Sequence, residues 1–126
     1  MGRMTRSTAL RIAAALSVLV AIIGITLFDL PNLVLGARDS EAPFGLVLGS
    51  FTSGVLALVA AYGAWRLQKW GAVLLIAVNA FWIVQAVSSL LFDRTSAEML
   101  FASLMLVHHI VVISFCLWRE RVVSAV

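Results

Sequence analysis

Two adjacent histidines, His108 and His109, are the only imidazoles in this chain of 126 residues, and they lie inside an uncharged apolar run. Histidine titrates near neutral pH and is the commonest metal ligand, so a pair in such a place is the first candidate for chemistry. Neighbours on a helix diverge by about 100°, so the two rings cannot converge on one centre. A zinc site wants three or four His, Cys or carboxylate ligands, and a haem held between helices takes its axial ligands from two of them. No third histidine exists, and Cys116 is the only cysteine. The expectation is therefore no metal, no cofactor and no two-cysteine redox chemistry. What remains is a proton-relay or quinone-contacting histidine, or a pair of neutral imidazoles hydrogen-bonded as packing glue.

The partners for that pair are few. Asn79 and Gln85 are the amides of the neighbouring apolar run, and Ser50, Thr52 and Ser53 are hydroxyls of the one before it. Counting from the ends of the runs places Gln85, Ser50, Thr52 and Ser53 at the depth of the histidines. Asn79, Trp82, Ala86 and Ser89 share one helical face, with Gln85 at its edge. The candidate site is thus a central polar layer of His108, His109, Gln85, Ser53 and Asn79. No phosphate-binding glycine loop, Ser–His–Asp set, HExxH motif or paired carboxylate accompanies it. No ionised acid falls inside any apolar run, which removes the usual site for proton-coupled cation export.

The elements that must carry these residues follow from composition. Of all residues, 63% are hydrophobic and only 12% charged, against roughly 25% charged in soluble domains. Four windows contain no Asp, Glu, Lys or Arg: Ile12–Phe28, Ala42–Trp65, Trp70–Phe92 and Met99–Trp118. Each approaches the roughly 17–25 residues with which a helix crosses the bilayer core. The reading is an all-α, four-helix transmembrane bundle forming a single integral membrane domain over residues 1–126, with helices at about 8–30, 43–67, 69–92 and 97–119.

Charge sets the orientation. Arg3, Arg6, Arg11, Arg66, Lys69, Arg119 and Arg121 flank one set of helix ends, leaving only Arg38 and Arg94 at the other beside Asp29, Asp39, Glu41, Asp93 and Glu98. By the positive-inside rule both termini are cytoplasmic. Trp65, Arg66, Lys69, Trp70 and Trp118 then serve as interface anchors, the first four within a basic hairpin between the second and third helices. The net charge of +3 belongs to this rim and to the lipid bilayer, and nucleic acid is not expected. Eight arginines against one lysine point to a bacterial inner membrane.

Along the chain, the basic start followed by an apolar segment resembles a signal peptide but lacks small residues for cleavage, so it is retained as the first helix. Pro31 is expected to end that helix, with the apolar stretch Leu33–Leu35 along the interface and a turn over Gly36–Ser40. In the second helix, Gly45, Gly49, Ser53, Ala57 and Ala61 recur every four residues, a strip that lets another backbone approach closely. Thr95 or Ser96 is expected to cap the fourth helix, with Glu98 in its first turn. The function expected first is an accessory or scaffold subunit that binds another membrane protein through helix packing. The alternative is a small transporter or channel, a homo-oligomer with the polar layer in its path. A membrane-embedded enzyme ranks third, because no convergent catalytic set is present.

Overall fold

The computed structural model describes residues 4–35, 44–92 and 95–118. Its described residues form α1 (Arg6–Gly24), a π-helical turn (Ile25–Asp29), α2 (Leu30–Leu35), α3 (Phe44–Trp65), α4 (Lys69–Phe92) and α5 (Ser96–Cys116). Four spans are long and apolar enough to cross a membrane: Arg6–Asp29, Val47–Trp65, Lys69–Phe92 and Ser96–Cys116. A helix is the natural state of such runs, because hydrocarbon offers no water to satisfy the backbone and an α-helix satisfies its own.

The spans pack as a square. Each helix lies against its neighbours in chain order, α1 on α3, α3 on α4 and α4 on α5, and α5 closes the ring on α1. At one end, Arg6 Nη1 donates to the Cys116 and Trp118 carbonyls at 3.2 and 2.7 Å. This places a positive charge at the α5 C-terminus, where unpaired carbonyls and the helix dipole favour it. At the same end Trp118 Nε1 donates to the Met4 carbonyl at 3.2 Å, and the Arg11 guanidinium sits 5.6 Å from the Trp65 ring centroid. This end also holds Arg66 and Lys69 and is called the basic end below. The opposite end carries Asp29, Glu98 and the Phe28–Phe101 ring pair, 6.1 Å apart.

The core of the basic half is built from small residues. Ala13 and Ala14 of α1 meet Ala60, Ala61 and Ala64 of α3, with Leu75, Val112 and Cys116 filling the rest. Short side chains let the helix backbones approach, which matters in lipid because apolar burial there gives little drive for association. The strip on α3 thus runs inside the bundle, with Ser53, Ala57 and Ala61 all buried. Gly49 is half-buried; Gly45 lies within α3, but its surroundings fall outside the described residues.

The hairpin between α3 and α4 is tighter still. Leu67 N–H donates to the Ala64 carbonyl and Gln68 N–H to the Gly63 carbonyl, both at 2.9 Å, with Leu67 at φ 61°. This is a Schellman ending with leucine where glycine is usual. It folds Gly63 onto Gly71 so closely that a side-chain carbon on Gly71 would stand 2.3 Å from the Ala64 nitrogen.

The expectation for the first helix is corrected by the structure. Pro31 does not end it; the helix runs on through Leu35. A proline ring clashes with the carbonyl of the preceding turn and has no N–H to give it. The chain answers by widening that turn, so that Leu30 N–H reaches the Ile25 carbonyl five residues back. Leu33 and Val34 are accordingly helical, while residues 36–43 and the turn expected there lie outside the described residues. The first helix also starts earlier than expected, at Arg6, with the Thr5 side chain accepting from Thr8 N–H. At α5 the expected start is met by a capping box between Thr95 and Glu98, and the helix ends at Cys116, before the expected residue 119.

Two substitutions probe the hairpin. Gly71→Ala should destabilise the bundle by about 2 kcal/mol or more, because backbone rather than a flexible side chain must move. Leu67→Gly should stabilise it by about 1 kcal/mol, by removing the strain of a left-handed leucine. Reversible unfolding in mixed micelles checks both.

Candidate functional site

Asn79, fully buried on α4, is the centre of the polar interior. Its Nδ2 donates to the Leu75 carbonyl at 2.9 Å and to Ser17 Oγ on α1 at 3.2 Å. Its Oδ1 lies 3.0 Å from His109 Nδ1 on α5. A carbonyl can only accept, so the contact with Leu75 assigns the nitrogen of the amide, and Oδ1 is left to accept from the imidazole. His109 therefore carries its proton on Nδ1 in the neutral state, with the Nε2 lone pair as its remaining polar group.

A second bond ties in the remaining span. Trp82 Nε1 donates to Ser53 Oγ on α3 at 2.9 Å, and Ser53 in turn donates to the Ser50 carbonyl at 2.8 Å. The Trp82 ring also packs on His109 at 5.1 Å between centroids. Polar side chains at this depth have no water to fall back on, and Asn79, Ser53, Trp82 and His109 each find a partner on another helix. His108 differs. It meets His109 edge-on at 5.4 Å, and its Nε2 is buried without a hydrogen-bond partner.

The layer expected from sequence is thus assembled with different pairings. His109 bonds to Asn79, with Ser17 beyond it, rather than to Gln85 or the α3 hydroxyls. Ser53 serves Trp82, and Thr52 is exposed and donates to the Leu48 carbonyl of its own helix at 2.8 Å. Gln85 is half-buried and lines a cavity of about 360 Å³, which also touches His109, Trp82, Ser50 and Ser89.

That cavity occupies the acidic half of the bundle and is lined from His109, at mid-bundle, to Phe28, Phe101 and Glu98 near the acidic end. Asp29 lines it too, and here the sequence reading needs its second correction. Asp29, expected among the acids at the helix ends, is not left at the surface. It lies in the π-helical turn, only 5% exposed, beside the Ser50 side chain. The wider turn shifts the register of the helix beyond Gly24, and such turns occur often at functional sites.

Two members of the site, Ser17 and Asp29, carried a sequence signal that was passed over. Ser17 is the one serine of the apolar run Ile12–Phe28, and Asp29 sits flush with the end of that run, two residues before a proline. Of the expected anchors, Trp65 lies beside Arg11, Trp70 Nε1 donates to Gln68 Oε1 at 2.5 Å, and Trp118 bonds to Met4. Arg66 and Lys69 are exposed at the same end. Among the described residues no group of three His, Cys, Asp or Glu side chains converges on a metal-sized site.

Four apolar spans around a shared polar centre, with a cavity in one half, define a multi-pass membrane protein. Comparison with family models, with curated proteins and with solved structures gives no match.

Asn79→Leu should cost about 2 kcal/mol, since it strands the His109 and Ser17 groups together, whereas Ser17→Ala should cost under about 1 kcal/mol. A double-mutant cycle on unfolding in micelles measures their coupling, and additive effects would show that Asn79 and Ser17 do not interact.

Proposed function

We propose that the chain is a small transport protein of a bacterial inner membrane, with the basic end cytoplasmic and the cavity open toward the outer side. The observation that supports this best is the division of the bundle into two unlike halves. The acidic half encloses a cavity floored by His109, whereas the basic half is packed shut by alanines from α1 and α3 together with Leu75 and Val112. A cavity open at one end and sealed at the other is what a carrier needs in one of its two states, and transporter sites commonly lie near the bilayer midplane. Passage then requires the alanine-packed half to part.

The basic rim supports the orientation, because Arg6, Arg11, Arg66 and Lys69 all gather at the sealed end and cytoplasmic ends attract Lys and Arg. A second reading, an accessory subunit bound to another membrane protein, keeps one specific observation. A side-chain carbon at Gly49 would meet nothing within 4 Å, so a foreign helix has room there.

Cysteine labelling separates the two. In a Cys116→Ala background, Ser89→Cys should react with a membrane-impermeant thiol reagent added from outside, and Ala61→Cys should stay protected from both sides. Labelling of Ser89→Cys only from the cytoplasmic side would overturn the orientation. Equal protection of the two would overturn the open cavity. For the accessory reading, Gly49→Leu should release a copurifying polypeptide in native mass spectrometry without altering the Ser89→Cys labelling.

A further inference from the structure

The chemistry of the cavity wall narrows what it can hold. Of the described carboxylates Asp29 is the most buried, 5% exposed, and its neighbour is the uncharged Ser50 side chain. Among the described residues neither lysine nor arginine lines the cavity. A carboxylate taken out of water with only a hydroxyl beside it is costly, and a charge partner offsets much of that cost. The protein supplies none at this position among the described residues.

The other polar groups of the wall agree in sense. Glu98, exposed at the mouth, keeps its carboxylate facing the Thr95 N–H of the capping box at 3.4 Å. At the floor, the bond from His109 Nδ1 to Asn79 leaves the neutral ring an acceptor at Nε2. Acceptors therefore stand at the mouth, along the wall and at the floor. Gln85 and Ser89 add uncharged groups that can donate or accept, and the rest is apolar or aromatic, with Phe28 and Phe101 forming a ring pair at the entrance and Trp82 farther in. Aromatic faces attract cations within about 6 Å of the ring centroid. The volume of about 360 Å³ falls within the range of about 300–1,000 Å³ usual for small-molecule sites.

We infer that this cavity binds an organic ammonium ion, a protonated amine on a compact apolar body, with the Asp29 carboxylate as its counter-charge. The inference rests on the proposed outward-open cavity and adds the class of solute to it. The ammonium N–H groups find acceptors at Asp29 and Ser50, and the apolar body lies against Phe28, Phe101 and Trp82. Glu98 acts at a distance, raising the local concentration of cations at the mouth. Among the described residues an anion of equal size meets two carboxylates and no counter-charge.

The test uses the full chain in lipid nanodiscs at pH 7 and three probes of nearly one shape. These are 2-phenylethylammonium, the uncharged 2-phenylethanol and the anionic phenylacetate, each titrated by calorimetry. The ammonium ion should bind at least about tenfold more tightly than the alcohol, a difference of about 1.4 kcal/mol, and phenylacetate should not bind. Asp29→Asn should bring the ammonium ion down to the affinity of the alcohol while the alcohol itself still binds, which also shows that the cavity is intact. Asp29→Glu, which keeps the charge should the amide variant fail to fold, should retain the preference.

Equal binding of ammonium ion and alcohol to the unaltered protein would overturn the ammonium assignment and leave the open cavity standing. A preference that survives Asp29→Asn would overturn the role of Asp29. Failure of all three probes to bind, with Ser89→Cys protected from outside reagent, would remove the cavity reading and the solute class together. Failure of all three with Ser89→Cys labelled would remove the solute class alone.

Discussion

The need to satisfy polar groups without water governs this molecule. In hydrocarbon an unpaired amide or hydroxyl costs several kcal/mol, so each polar side chain at mid-depth is a demand on a neighbouring helix. Asn79 meets that demand by joining α4 to Ser17 of α1 and to His109 of α5, and Trp82 on the same face of α4 reaches Ser53 of α3. One helix therefore holds hydrogen bonds to all three other spans. That arrangement fixes the rotation of α4 about its axis, which apolar contacts alone leave weakly specified.

The two halves of the bundle differ for a steric reason. At the basic end, alanines on α1 and α3 allow close backbone approach, and the Gly63–Gly71 contact draws α3 and α4 together at their turn. Toward the other end small residues, Gly24, Gly54, Ala86 and Ala102, face a cavity instead of one another, and the widened turn at Ile25–Asp29 interrupts the regular α-helix. Packing that is tight at one end and looser at the other leaves space, and the space is found beside His109, Gln85 and Asp29. The same proline that forces the wide turn thereby sets the buried carboxylate on the cavity wall.

Much of this was legible without coordinates. Long uncharged runs bounded by charge can only be spans, because backbone hydrogen bonding in lipid admits few alternatives, and α4 runs from Lys69 to Phe92, the last residue before Asp93 in the sequence. The Thr95–Glu98 capping box could be read from residue types and spacing alone. The first helix was harder. A proline within an apolar run reads as a stop, and nothing local says that a turn will widen to accommodate it. That reading also counted Asp29 among the acids at the helix ends and gave no sign of its burial at the cavity.

The sequence by itself determined the number of spans, the basic and acidic ends, the small-residue strip and the membership of most of the polar layer, because these depend on hydropathy, charge and helical period along one chain. Which polar group meets which was decided only by tertiary structure. Gln85, Ser50 and Ser53 lie at comparable depth, yet His109 pairs with Asn79 and faces Ser17 beyond it, since pairing depends on the rotation and neighbour order of whole helices. The inward turn of Asp29 belongs to the same class. A single added residue in a helical turn rotates everything past it by about 100°, and whether the chain meets Pro31 by widening a turn or by ending the helix depends on how this segment packs against α3.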